Sequence, residues 1–205
     1  MRNIKLFNSI KAMEIHYPEW IIENAERLAT ETYKLKIRKG RKGHREFDTV
    51  KLRCYQLAPL TDIHPTETIV SVIKKVEKEF ELFPKILATE LIDDWMVIIS
   101  EWGEGIALDR LPGNLKMKAL KSYGKFLRRM ENLGFYPRDG KWDNVVYNDR
   151  LNFAYLCDFG RFEIYVEGGN ERLKKSAMNY KEDFFKRCPG SAMEAAFYEG
   201  YNKKN

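Results

Sequence analysis

The sequence predicts an α+β fold in two lobes, the first built on an antiparallel sheet and the second mainly helical. Three observations predict it. Residues 31–38 (ETYKLKIR) alternate apolar and polar side chains, and residues 85–92 and 95–101 flank Asp93-Asp94 as the arms of a hairpin. Residues 115–133 carry an apolar stripe at three- and four-residue steps, the signature of an amphipathic helix. Between these halves, Trp102-Gly103-Glu104-Gly105 interrupts both periods and reads as a linker, so the lobes span 1–101 and 106–205 with 102–105 joining them. A chain of 205 residues is long enough for one sizeable core or two small lobes.

Taken in order, residues 1–15 mix basic and apolar side chains and suit a short strand or helix docked on the first lobe. Tyr17 to Glu23 fits either a helix with Pro18 at its first position or the first strand of a small sheet. Tyr33, Leu35 and Ile37 face one side of the strand at 31–38, and Thr32, Lys34, Lys36 and Arg38 the other. Lys39 to Gly43 is a glycine-punctuated basic loop. Residues 46–60 read as a helix that ends near Pro59, and a second helix covers 67–80, with Ile69, Val72, Ile73, Val76 and Phe80 on one stripe.

The helix at 115–133 uses Leu115, Met117, Leu120, Tyr123, Phe126, Leu127 and Met130, with Gly134 as its C-cap. Val145-Val146-Tyr147 and residues 153–157 flank Asn148-Asp149-Arg150 as a second hairpin. Residues 161–166 are strand-like and 171–187 helical. A last helix follows Pro189-Gly190, with Ser191 as N-cap and Glu194 as its capping-box partner.

Composition narrows the class. A hydrophobic content of 44% with 13% aromatics is that of a globular protein. The net charge is +6, but 36 basic and 30 acidic residues are interspersed, which describes a mixed solvated surface. One basic cluster stands out: Lys34, Lys36, Arg38, Lys39, Arg41, Lys42 and Arg45. It is either a strand and loop facing solvent or a surface for an anionic partner such as nucleotide phosphate. Nucleic acid is not the expected partner. Cys54, Cys157 and Cys188 are odd in number and lack metal-ligand spacing, so they read as reduced thiols of a cytosolic protein. The longest apolar run, Trp95 to Ile99, is too short to span a bilayer, and the first residues lack the pattern of a secretory signal.

The chemistry concentrates between Gly134 and Gly160. Arg138-Asp139, Lys141, Asn144 and Asp158-Phe159-Gly160 follow one another in a single line. Phosphoryl transfer from ATP needs such groups: a carboxylate to orient the incoming hydroxyl, a lysine beside the moving phosphoryl, and an amide and a second carboxylate for magnesium. With Asp139 and Asn144 at catalytic-loop spacing and Asp-Phe-Gly one hairpin later, the chain resembles the protein-kinase-like superfamily. Gly134-Phe135-Tyr136-Pro137-Arg138-Asp139, after a helix ending in Met130-Glu131-Asn132-Leu133, is similar to small, compact serine/threonine-kinase-like proteins of bacteria and their phages.

The resemblance implies a protein-kinase-like fold with a truncated second lobe, Mg-ATP as phosphoryl donor, and a serine or threonine hydroxyl as acceptor. It implies Asp139 as the orienting carboxylate, Lys141 as the lysine of a hydroxyl-directed loop, and Asn144 and Asp158 as magnesium ligands. In the first lobe it asks for a strand lysine and a glutamate on the following helix, which are expected at Lys36 (or Lys34) and Glu46. Glu101 and Trp102, at the hinge after the fifth strand, are the further expected contacts to ATP. Two departures stand out. Pro137 replaces the family's histidine, and residues 23–32 (ENAERLATET), where a glycine-rich loop belongs, hold no glycine. The second departure keeps open a pseudokinase acting as a binding module. A small-molecule kinase on a sugar or aminoglycoside hydroxyl is the third reading.

Overall fold

The computed structural model describes residues 4–29, 32–39, 46–56, 66–92, 95–158, 162–164, 170–186 and 191–203. They form a mixed α+β protein that divides into two compact units, Met1–Gly103 and Glu104–Asn205. The division falls inside the stretch read as a linker.

The first unit opens with helix α1 (Ile4–His16). Tyr17 to Trp20 form the turn after it, held by Tyr17 N–H donating to the Met13 carbonyl at 2.7 Å. The Tyr17 and Trp20 rings stack 3.8 Å apart. The segment whose state the sequence left open is therefore a turn leading into strand β1 (Ile21–Ala29). Strands β2 (Thr32–Lys39) and β3 (Glu46–Gln56) follow, then helix α2 (Thr66–Glu79), then β4 (Ile86–Ile92) and β5 (Trp95–Glu101). The five strands make one antiparallel sheet in the order β1-β2-β3-β5-β4.

Here one expectation fails. Residues 46–56 are a strand, not the start of a helix, and Glu46 is the first residue of β3. The segment satisfies two periods at once: Phe47, Val50 and Cys54 step as on a helix, but Val50, Leu52 and Cys54 also alternate. Pairing decides between them, because β2 and β5 flank this strand and satisfy its backbone on both sides.

Register sorts the two faces, since directly paired residues share a face. Tyr33, Leu35, Ile37, Val50, Val97 and Ile99 lie on one side and form a core with Ala12 and Met13 of α1. On the other side α2 stands beside Thr89 and Met96, with Val72, Val76 and Phe80 buried. The Glu77 carboxylate accepts from Ile86 N–H and ties α2 to β4.

In the second unit a short β6 (Ile106–Ala107) and a 3₁₀ turn (Leu108–Arg110) precede helix α3 (Gly113–Asn132). The buried stripe of α3 includes Leu120, Tyr123, Phe126, Leu127 and Met130, as its periodicity predicts. Gly134, at φ +83°, ends it in the left-handed region that favours glycine. Next come β7 (Phe135–Pro137), β8 (Val145–Asn148), β9 (Phe153–Leu156) and β10 (Phe162–Ile164), and then helices α4 (Asn170–Phe185) and α5 (Ala192–Tyr201). β6, β8 and β9 form an antiparallel sheet, and β10 pairs with β7. The Ser191 side chain accepts from Glu194 N–H at 3.3 Å and caps α5 as expected.

α3 and α5 meet backbone to backbone. A methyl group on Gly124 would overlap the Phe197 carbonyl, and one on Gly200 the Lys121 carbonyl. Around this contact Tyr123, Phe184, Phe197 and Tyr201 build an aromatic core.

Candidate functional site

The second hairpin is built from both ends. Val145 pairs with Leu156, Val146 with Tyr155, Tyr147 with Ala154 and Asn148 with Phe153. The turn uses Asn152 at φ +46°, a conformation that asparagine tolerates. Asn148 Oδ1 accepts from Leu151 N–H at 3.2 Å, and the Tyr147 hydroxyl donates to Asn152 Oδ1 at 2.9 Å. Ser122 of α3 locks the turn from outside: its hydroxyl donates to the Asn152 carbonyl and accepts from Ala154 N–H.

This hairpin brings the backbone of Asn144 against that of Cys157, the residue before Asp158. Asn144 immediately precedes β8, Asp158 lies two residues past β9, and Cys157 N–H donates to the Asn144 carbonyl at 2.8 Å. Two hard oxygen donors thus flank one hairpin mouth. Phe159 and Gly160 lie outside the described residues.

Between β7 and β8 runs the loop Arg138 to Asn144. Lys141 Nζ lies 2.8 Å from Asp139 Oδ2, so the two residues expected to act together form an ion pair. A 3₁₀ turn, Trp142–Asn144, carries the chain from this pair into β8. The end of α4 fixes the loop from behind. Trp142 Nε1–H donates to the Phe184 carbonyl at 2.7 Å, and the two rings sit 5.9 Å apart. Gly140 packs on the α4 backbone. An added methyl would stand 2.7 Å from the Tyr180 carbonyl oxygen and 2.9 Å from Phe184 N.

Asp139, Lys141 and Trp142 line a cavity of about 540 Å³ that Asp109, Arg138, Gly140, Asp143, Asp183, Phe184 and Lys186 complete. Nearby, the Tyr180 hydroxyl meets that of Tyr123 in the core. Burial raises the Tyr180 phenol well above its ordinary value, and the Asp139 carboxylate adds to the rise.

The first-unit candidates fall on different strands. Lys36 lies exposed on β2, opposite Thr49 of β3. Glu46 opens β3 and so is not on a helix that follows a lysine-bearing strand. Glu101 ends β5, where its carboxylate accepts from Lys85 N–H at 3.1 Å. Trp102 follows, its N–H donating to the Thr49 carbonyl at 3.3 Å, and Lys34 Nζ lies 4.6 Å from the centre of its ring.

The misread strand hid one residue. The strand that precedes α2 is β3, and its lysine is Lys51, directly opposite Lys34 on β2 and Ser100 on β5. The alternation Val50-Lys51-Leu52 was the signal that could have found it.

Among the described residues no three His, Cys, Asp or Glu side chains gather as a metal site, and no helix is long and apolar enough to cross a membrane. No protein-family model matches the chain, and no curated protein sequence matches it.

Proposed function

We propose that this chain has a protein-kinase-like fold and transfers a phosphoryl group from Mg-ATP to a serine- or threonine-type hydroxyl. The observation that supports the reading is the hairpin that starts just after Asn144 and returns to Cys157, the residue before Asp158, one short turn after the Asp139–Lys141 ion pair. The order three strands, helix, two strands in the first unit supports it. So does the end of the fifth strand at Glu101, where the resemblance puts the hinge. The pairing of β7 with β10, which flank the loop and the hairpin, supports it again.

The donor set fits magnesium. That ion keeps much of its water and takes one or two protein oxygens besides those of the phosphates, so an amide and a carboxylate suffice without a third acidic ligand. Held by Asn144 and Asp158, magnesium would neutralise charge on the phosphates of ATP. Asp139 accepts a hydrogen bond from the acceptor hydroxyl and aligns its oxygen for in-line attack. Lys141 leaves Asp139 to balance charge on the moving phosphoryl. Lys51, on the strand before α2, is the lysine for the α- and β-phosphates.

The test is incubation with γ-labelled ATP, Mg²⁺ or Mn²⁺ and a generic protein substrate, comparing the wild type with Asp139→Ala and Asp158→Ala. Label on protein that both substitutions abolish is the expected result. Absence of label, with no magnesium-dependent thermal shift by ATP, would replace the reading with a binding module. The missing glycines of residues 23–32 favour that second reading.

A further inference from the structure

Two phenols sunk in the core of the second unit take no part in the chemistry proposed above. Tyr123 of α3 and Tyr180 of α4 are fully buried, and their hydroxyls bond to each other. Among the described residues neither hydroxyl has another hydrogen-bond partner. The rings alone would fill this core: Tyr123 stacks on Phe126 and Phe184, and Tyr180 stacks on Phe184. Phenylalanine would do that at both places without taking two hydroxyls out of water. What the hydroxyls add is direction. Packed rings tolerate sliding, whereas an O–H donor and its acceptor hold one distance and one angle. Burial raises both phenols well above their ordinary value, so the pair stays neutral and intact at ordinary pH.

The position that this bond fixes is passed on to the loop. Tyr180 presents its carbonyl oxygen 2.7 Å from where a methyl on Gly140 would stand, and one turn later the Phe184 carbonyl accepts from Trp142. Gly140 lies between Asp139 and Lys141. A line of contacts therefore runs from α3 through the two hydroxyls and the Tyr180 backbone to Gly140 and its neighbour Asp139. The residue that opens the loop adds no side-chain anchor. Pro137 stands where the resemblance puts a histidine, and it has neither an N–H nor a polar side chain.

We propose that the Tyr123–Tyr180 hydroxyl pair clamps α4 at one position against the loop, and that Tyr180 is thereby a positioning residue for Asp139, acting through Gly140. The clamp stands on packing alone; its effect on turnover rests on the phosphotransferase reading. With the bond gone, α4 slides on its rings and carries Gly140 with it. Displacement of an orienting carboxylate by about 1 Å costs up to roughly 100-fold in rate. Asp139 does not hold the nucleotide in that reading, so the loss falls on kcat and spares the KM for Mg-ATP.

The experiment compares the full-length wild type with Tyr123→Phe, Tyr180→Phe, the double variant, and Tyr147→Phe as control. The Tyr147 hydroxyl bonds at the far turn of the hairpin. Three quantities are read: the Gly140 amide resonance in ¹⁵N NMR spectra, kcat and KM for Mg-ATP in label transfer, and the melting curve. Either single substitution removes the same bond, so whichever variant melts cooperatively decides the matter. Each is expected to move the Gly140 resonance, with the double variant moving it no further. The control should leave it in place. The rate kcat should fall about tenfold at constant KM. An unmoved Gly140 resonance in folded Tyr180→Phe overturns the clamp, as does a double variant that moves it by the sum of the two singles. A moved resonance with unchanged kcat overturns the positioning role and leaves the phosphotransferase reading standing. A moved resonance in a protein whose wild type transfers no phosphoryl group upholds the clamp and overturns the phosphotransferase reading.

Discussion

The indole N–H of Trp142 donates to the carbonyl of Phe184, and thereby caps the last turn of α4 with a residue of the loop that holds Asp139 and Lys141. The last carbonyls of a helix have no partner inside it, so this bond satisfies a group that would otherwise be left bare. Loop and helix end are one structural element. Gly140, between the ion-paired residues, packs directly on the helix backbone.

Gly140→Ala is therefore expected to lower stability by about 1–3 kcal/mol, because the methyl would press on the backbone of α4 rather than on a movable side chain. Trp142→Phe, which keeps an aromatic ring and loses only the donor, should cost about 1 kcal/mol. Urea unfolding of both variants measures the two values. A harmless Gly140→Ala would mean that α4 does not sit against the loop.

Lys141→Ala should separate stability from activity. Its partner Asp139 is partly buried, but Lys141 is largely exposed, and pairs of that kind contribute less than about 1 kcal/mol to folding. On the proposed phosphotransferase reading, loss of a cation that balances charge in the transition state costs roughly 100-fold in rate. An unchanged melting curve beside a collapse in label transfer is the expected pair of results. Full transfer activity would remove Lys141 from the mechanism.

A second ion pair is the opposite case. Lys181 Nζ lies 3.2 Å from Glu131 Oε1, with the side chains only 16% and 8% exposed, and the Tyr201 hydroxyl bonds to both residues. Lys181→Met strands a buried carboxylate and should destabilise by about 3–5 kcal/mol. The double variant Lys181→Met/Glu131→Leu should lose less than the single one, which chemical denaturation would show directly.

Tyr201 predicts an alkaline limit. Burial first, and then its hydrogen bond to Glu131, push its phenol from 10.0 to about 12. The folded state thus favours the neutral form. Its contribution is whole below pH 10.0, begins to fade as the unfolded phenol ionises, and is gone above about 12. Tm followed from neutral to alkaline pH should drop through this window, less steeply in Tyr201→Phe. A variant with the same slope would show that this phenol does not couple to folding.

The sequence disclosed the second unit more fully than the first, for physical reasons. The stripe of α3, the cap at Gly134, the hairpin around Asn148 and the Ser191 cap are local signals, and local hydrogen bonds realise them. The linker, the strand at β2 and the hairpin arms at β4 and β5 were legible for the same reason. Residues 46–56 were not, because their apolar spacing serves either period and two distant strands make the choice. With that strand misread, Lys51 was not weighed as a strand lysine, and Glu46 was placed on a helix where residues 46–56 form a strand. No sequence pattern announced α4 lying against Gly140 either, since a close backbone approach leaves only a glycine as its trace.

Among the described residues of the first unit, the order β1-β2-β3-β5-β4 leaves β1 and β4 as the outer strands of the sheet. Along β1 the border carries Glu23, Glu26 and Arg27, all exposed. Along β4 a bulge between Ile86 and Ala88 breaks the line, and Glu90 is held by His16 of α1 at 2.7 Å. Charge and irregularity keep these borders from templating fibres. Damage there would therefore show first as clumping of intact molecules at high concentration, long before any loss of helix or sheet.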